Sequence, residues 1–252
     1  MNKQLSLMSL FEVGAHRGNK SSKLNPKLKK RVYGISSGLC LINLVETKNY
    51  IDNSSDLLYK LGQKKKQILI VCTSKHLKDQ VVEFSSNFDN GPMPYVDNRW
   101  LGGTLSNWST IKKTLKTLEK LENIESNTEF FSKLARNEQL RVSREKDKIK
   151  RFFGGLVNLK TNKPGAILLL DGSNNPITIQ EADTVGVPVI VLTNTGILSL
   201  PKDLNNTIVC NISSINTVKV ITDYLIDSYN QGLAAGLPQP KEEVKEKVTI
   251  SA

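Results

Sequence analysis

Five short runs limit what this chain of 252 residues can fold into: LCLINL (39–44), QILIVCT (67–73), AILLLD (166–171), VPVIVLT (187–193) and TIVCNI (207–212). Each is continuously apolar and rich in β-branched side chains, the pattern required of strands buried on both faces of a parallel sheet. Segments of helical period separate them, at 47–62 (Tyr50, Ile51, Leu57, Leu58, Leu61), 75–88 (Leu77, Val81, Val82, Phe84), 177–185 and 215–229 (Val218, Ile221, Leu225, Tyr229). Spacings of three and four put those apolar residues on one face of each helix. Strands alternating with helices in this way predict right-handed βαβ units and a three-layer α/β/α sandwich around a mainly parallel sheet.

Residues 105–153 break the alternation. One apolar seam runs through Ile111, Leu115, Leu118, Leu121 and Ile124, a second through Ala135, Val142 and Ile149, with a polar hinge at 123–128 between them. Two helices joined by a short turn pack antiparallel, so the expectation is a coiled-coil hairpin projecting from the sheet. Glu122, Glu138 and Glu145 interrupt the seams and leave open a second arrangement, two ordinary helices lying flat on the domain.

Charge points toward a polyanion. The chain has 35 Lys and Arg against 24 Asp and Glu, a formal charge of +11. The stretch RGNKSSKLNPKLKKR (17–31) holds seven basic residues and no acidic one. Gly18 and Asn25-Pro26 bend or extend it, so it cannot be a long amphipathic helix and reads as a basic arm. The expected layout is a basic arm over 1–33, an α/β sandwich over 34–104 and 154–231, a hairpin insertion over 105–153, and a flexible tail over 232–252, where Gly, Pro and mixed charge leave little to bury.

Catalytic chemistry finds little support. No G-x-G-x-x-G and no G-x-x-x-x-G-K-[ST] follows any predicted strand, and the glycine pair Gly102-Gly103 follows Trp100-Leu101 instead of a strand. His16 and His76 are the only imidazoles; the first lies in the basic arm and the second opens a helix. Asp171 ends a predicted strand, where α/β enzymes keep functional acids, but DGSN is also turn chemistry. Cys40, Cys72 and Cys210 stand singly in apolar runs and read as buried, reduced thiols, because metal sites need clustered ligands. No cofactor, metal or small-molecule substrate is expected. The chain lacks an apolar run of the roughly 18 residues that a membrane span needs. Its first twenty residues also lack the pattern of a signal peptide, so the expected location is cytoplasmic, with no membrane partner.

Both tryptophans fall in NRWLGGTLSNWSTI (98–111), directly before the predicted hairpin. That stretch closely resembles the Arg-Trp-Leu-Gly-Gly run of the bacterial small-subunit ribosomal protein S2 family. Further resemblances follow in the same order along residues 9–229: GAHRGNKSSKLNPKL (14–28), INLVET (42–47), FGGL (153–156) and QEADTVGVPVIVLTNT (180–195). The resemblance implies a flavodoxin-like sandwich with an inserted coiled-coil hairpin. It also implies a structural role in the ribosome at the head and body junction of the small subunit, near the messenger RNA exit. The implied partners are small-subunit rRNA, neighbouring ribosomal proteins and the largest small-subunit protein, with no catalysis and no cofactor.

Three departures weaken the carry-over. Asn19 and Leu24 stand where the family has His and Trp, Thr193 replaces an Asp, and NISSINTVK (211–219) replaces a Pro-Gly-Asn-Asp stretch, with only the basic Lys219 kept. From the charge pattern, Arg17, Lys20, Lys23, Lys27, Lys29, Lys30 and Arg31 are the expected phosphate contacts. Asn98 and Arg99 are candidates for RNA or domain-junction contacts. Gly102 and Gly103 are expected to let the chain turn tightly into the first hairpin helix. Trp100 and Trp108 are expected to anchor the hairpin base, since Trp is mostly buried and its ring N–H needs a partner. An α/β enzyme or small-molecule-binding domain and a docking scaffold outside the ribosome are the competing function classes.

Overall fold

A computed structural model of the chain describes residues 5–161 and 163–236. Its elements in chain order are α1 (Leu7–Glu12), β1 (Arg17–Lys20), β2 (Val32–Ser36), β3 (Leu39–Ile42), α2 (Leu44–Gln63), β4 (Ile68–Val71), α3 (Lys78–Ser86), β5 (Tyr95–Val96), α4 (Trp108–Ser126), α5 (Thr128–Lys133), α6 (Arg136–Phe153), β6 (Ala166–Leu169), α7 (Pro176–Val185), β7 (Val189–Thr193), β8 (Thr207–Val209) and α8 (Ile215–Ala235). Among the described residues no helix is long and apolar enough to cross a membrane.

The main sheet is parallel throughout, in the order β5-β4-β6-β7-β8. Counted along the chain that is 2-1-3-4-5, the flavodoxin-like winding. Every residue of β4, β6, β7 and β8 is buried, which is why these strands read as unbroken apolar runs. Alternate side chains feed two cores. Ile68, Ile70, Leu168, Ile190 and Leu192 pack with Ile51 and Leu58 of α2, Phe84 of α3 and Leu225 of α8. Leu69, Val71, Ile167, Leu169 and Val191 pack with Ile179 of α7, Trp100, Leu105 and Ile111. At about 25 cal/mol per Å² of apolar surface removed from water, these two layers supply the main favourable term.

One predicted strand belongs elsewhere. Residues 39–44 were expected in the parallel sheet, but β3 is the centre of a separate antiparallel sheet, β1-β3-β2. Ser37 and Gly38 between β2 and β3 both have positive φ, 50° and 77°. That conformation closes a tight hairpin and gives β3 a local partner before any distant strand is available. The fifth parallel strand is instead β5, two residues long, too short to announce itself by pattern.

The stretch expected as a basic arm is built into the body. Leu10 of α1 and Leu28 are fully buried, and β1 pairs with β3. At the other end, α8 runs to Ala235, past the expected tail boundary at 232. Gly232 explains this: a Cβ there would lie 2.1 Å from the Tyr59 carbonyl oxygen, and one at Gly62 would lie 2.2 Å from that of Tyr229, so α2 and α8 touch backbone to backbone. Residues 237–252 of the expected tail lie outside the described residues.

The insertion is a pair of long helices, α4 and α6, linked through the short α5. Glu122 meets Lys150 at 3.5 Å and Glu125 meets Lys146, so the two run antiparallel. The turn falls around α5 and not at 123–128. The seam is one-sided: Ile111, Leu118 and Leu121 of α4 are buried, whereas α6 buries no side chain completely, and Ala135 caps α6 from outside it. This is a helical hairpin closed by charge as much as by apolar contact, without the two-sided seam of a coiled coil.

Candidate nucleic-acid interface

The segment 17–31 has a fixed backbone and free charges. Gly18 passes so close to β3 that a Cβ would lie 2.8 Å from the Cys40 carbonyl oxygen. The Asn19 amide donates to Thr195 Oγ1 at 3.0 Å, the Asn25 amide to the Thr195 carbonyl at 2.9 Å, and Asn25 Nδ2 to the Ile197 carbonyl at 2.7 Å. Asn25 Oδ1 in turn accepts from the Lys27 amide at 2.9 Å, opening a 3₁₀ turn over Pro26–Arg31. Leu28 pins that turn into the core. Arg17, Lys20, Lys23, Lys27, Lys29 and Lys30 are exposed, and none enters an ion pair among the described residues.

Arg31 departs from this set. It is 7% exposed. Its guanidinium donates to the Thr207 carbonyl and, at 2.9 Å, to the Leu204 carbonyl, and lies 3.8 Å from the centre of the Tyr50 ring. Burial pulls its pKa below the usual arginine range, partly offset by Tyr50 and Glu46. A cation committed to two interior carbonyls and an aromatic face is not available to a phosphate.

Residues 97–108 join the sheet to the hairpin. Asn98 Nδ2 donates to the Arg151 carbonyl at 3.2 Å, a junction contact to the end of α6. Arg99 is exposed. Trp100 is 5% exposed, and its indole N–H donates to Glu181 Oε2 at 2.9 Å. The same oxygen accepts from the Gly103 amide at 3.2 Å, while Oε1 accepts from the amides of Leu105 and Ser106 at 2.8 and 2.9 Å and from the Ser106 hydroxyl at 2.9 Å. Gly103 takes φ +93°, which L side chains rarely adopt, so the turn that aims these amides needs glycine there. Gly102 shows no such requirement. Trp108 is the first residue of α4 and is half-buried against the core.

Glu181 had no assigned role in the sequence reading, although it sits on the apolar face of a short helix, a signal that a buried partner is required. It is 8% exposed. Burial by itself raises its pKa, but the hydrogen bonds from Ser106, Trp100 and Leu105 outweigh that and hold it below the usual carboxylate value. A second overlooked feature is on α6. Arg141, Arg144, Lys148 and Arg151 recur at i, i+3, i+7 and i+10, all exposed, on the face opposite Lys146 and Lys150.

The remaining polar candidates are held mainly in local bonding, although Asp171 Oδ1 and His16 Nδ1 are buried with no hydrogen-bond partner among the described residues. Asp171, 1% exposed, accepts on Oδ2 from Ser74 Oγ and, at 2.6 Å, from Asn174 Nδ2. Asn175 Nδ2 bridges the Asp171 carbonyl at 2.9 Å and Thr73 Oγ1 at 3.0 Å. These groups lie at the carboxyl ends of β4 and β6, the crevice where doubly wound proteins take ligands; here they bond mainly to each other. His16 stacks on Phe11 with ring centres 4.4 Å apart, and His76 Nε2 lies 3.2 Å from the Ile212 carbonyl. Cys40, Cys72 and Cys210 are buried free thiols, and burial pushes Cys72 and Cys210 up to about 12. Among the described residues, no three His, Cys, Asp or Glu gather in a metal-ligating group.

Comparison with known proteins adds an independent line. The family described as "Ribosomal protein S2" matches residues 10–232. The chain is 31% identical over 243 residues to the small ribosomal subunit protein uS2 of Amoebophilus asiaticus, covering 96% of this chain and 75% of that protein. It is 29% identical over 245 residues to the uS2 of Acidothermus cellulolyticus, covering 94% and 87%. It is 32% identical over 216 residues to the uS2 of Psychromonas ingrahamii, covering 86% of each chain.

Proposed function

The chain belongs to the ribosomal protein S2 family, and from that premise we propose that it binds small-subunit rRNA through the exposed cations of its N-terminal segment. It is a structural constituent of the small ribosomal subunit and not an enzyme. The carrying observation is the contrast within residues 17–31: the backbone is strapped to the 195–197 loop while Arg17, Lys20, Lys23, Lys27, Lys29 and Lys30 stay exposed, with no ion pair among the described residues. With the backbone already fixed, binding has only the side chains left to order, so less of the electrostatic attraction is spent on ordering the segment.

Arg99 at the root of the hairpin and the outward row Arg141, Arg144, Lys148 and Arg151 extend the positive surface onto the insertion. In this reading the hairpin gives neighbouring small-subunit proteins and a second RNA segment a stiff surface, with the ribosome in the cytoplasm as the place of work. The test is binding of the intact chain to small-subunit rRNA over a range of salt. Each phosphate contact adds about 0.7 to 0.9 to the slope of log K against log salt. Replacing Lys20, Lys23, Lys27, Lys29 and Lys30 with Gln is expected to flatten that slope by about 3.5 to 4.5; an unchanged slope overturns the assignment.

A further inference from the structure

A groove of about 380 Å³ lies between the first half of α4 and the chain that follows α6. Its apolar wall is Trp108, Leu115, Leu118, Val157 and Leu159; Lys112, Lys116 and Lys160 stand around it. Val157 is 59% exposed, an apolar side chain left uncovered beside an indole. The Trp108 ring N–H has no hydrogen-bond partner among the described residues, and neither does any of the three lysines have an acidic one. Glu119 and Glu122 line the groove further along α4, and Glu122 is drawn toward Lys150 at 3.5 Å. The cations therefore collect at the Trp108 end, with Lys112 and Lys116 one and two turns beyond the ring.

We propose that this groove takes one unpaired nucleotide of single-stranded RNA, its base against Trp108 and its flanking phosphates on Lys112, Lys116 and Lys160. An aromatic face beside unpaired lysines is the arrangement by which proteins hold single strands without reading their sequence. The volume falls within the range of small-ligand sites. An acidic peptide would satisfy the lysines and accept from the indole N–H, as Glu181 does from Trp100, but would leave the ring face without a planar partner. The proposal rests on the RNA-binding reading above and adds a site separate from the 17–31 segment.

The test uses the full chain and a six-residue oligoadenylate. Trp100 is sealed against Glu181, so quenching by the oligonucleotide reports Trp108. Saturable quenching is expected, and Trp108→Leu should remove it and weaken binding of the labelled oligonucleotide about tenfold, within the range for loss of one stacked base. Trp108→Phe should keep most of the affinity. Replacing Lys112, Lys116 and Lys160 together with Gln should flatten the salt slope by about 2, and this surface variant decides the matter if Trp108→Leu does not fold. The site is overturned if neither variant changes oligoadenylate binding, or if oligoglutamate binds as well. Binding of structured small-subunit rRNA, measured in parallel with the Lys27, Lys29, Lys30→Gln variant, separates the two readings: its retention with no oligoadenylate effect rejects the groove alone, and its absence rejects RNA binding as a whole.

Discussion

The Trp100 indole donates to the Glu181 carboxylate at 2.9 Å, and three backbone amides and a hydroxyl from residues 103–106 converge on the same two oxygens. One buried charge on α7 thereby fixes the turn from which α4 departs. Gln at 181 keeps the volume but removes the charge and one acceptor, leaving donors unmatched in a dry site. Glu181→Gln is expected to destabilise the fold by about 2 to 4 kcal/mol in urea unfolding, with a red shift of Trp100 emission; a loss under about 0.5 kcal/mol, the surface level, refutes the anchoring role.

The same carboxylate makes stability depend on acid. Its folded pKa lies below the usual value of 4.5, so its contribution is present in full above that value and is lost as pH falls through the folded pKa. The stability gap between the wild-type chain and Glu181→Gln should be flat from pH 7 to about 5 and close below about 4.5. Urea midpoints measured at each pH check this, and a gap that widens in acid contradicts it.

Arg31 and its neighbours should separate cleanly by assay. Arg31→Gln leaves the carbonyls of Leu204 and Thr207 without their charged donor and should cost about 2 to 3 kcal/mol of stability. Lys27, Lys29, Lys30→Gln should stay within about 0.5 kcal/mol of wild type while weakening rRNA binding and flattening its salt dependence. Thermal melts and filter binding on the two variants give the comparison; equal effects in both assays would dissolve the distinction.

Gly232 sets the approach of α8 to α2. Gly232→Ala drives a methyl group to 2.1 Å from the Tyr59 carbonyl oxygen, and relief requires the helices to part. A loss of about 3 kcal/mol is expected, at the upper end for overpacking, visible as a lowered Tm. An unchanged Tm would mean that the two helices do not lie this close.

Much of the framework was legible because its signals are local. β4, β6, β7 and β8 announce themselves as apolar runs since both sheet faces are covered, and α2, α3, α7 and α8 by their single apolar faces. The loss of alternation after residue 105 marked a break in the sheet pattern, where the long helices α4 and α6 lie. β3 was misassigned because an apolar run of that length does not say whether its partner is parallel or antiparallel; the Ser37-Gly38 turn made that choice. The one-sided hairpin seam was hidden because periodicity places residues on a face without saying how deeply a neighbour covers it.

By itself the sequence determined the α/β class, the strand and helix alternation, the surplus of positive charge and the family, all properties carried by residue types at short spacing. Tertiary structure alone decided which charges face water. Arg31 looks like its basic neighbours until a carbonyl 173 positions away at Leu204 is brought beside it. Glu181 sits on an apolar helix face with no partner near it in sequence until the 100–106 turn, more than seventy positions earlier, folds its donors over it. Burial of a charge is tolerated only where distant partners replace its water, and which partners arrive is settled by the packing of the whole sheet.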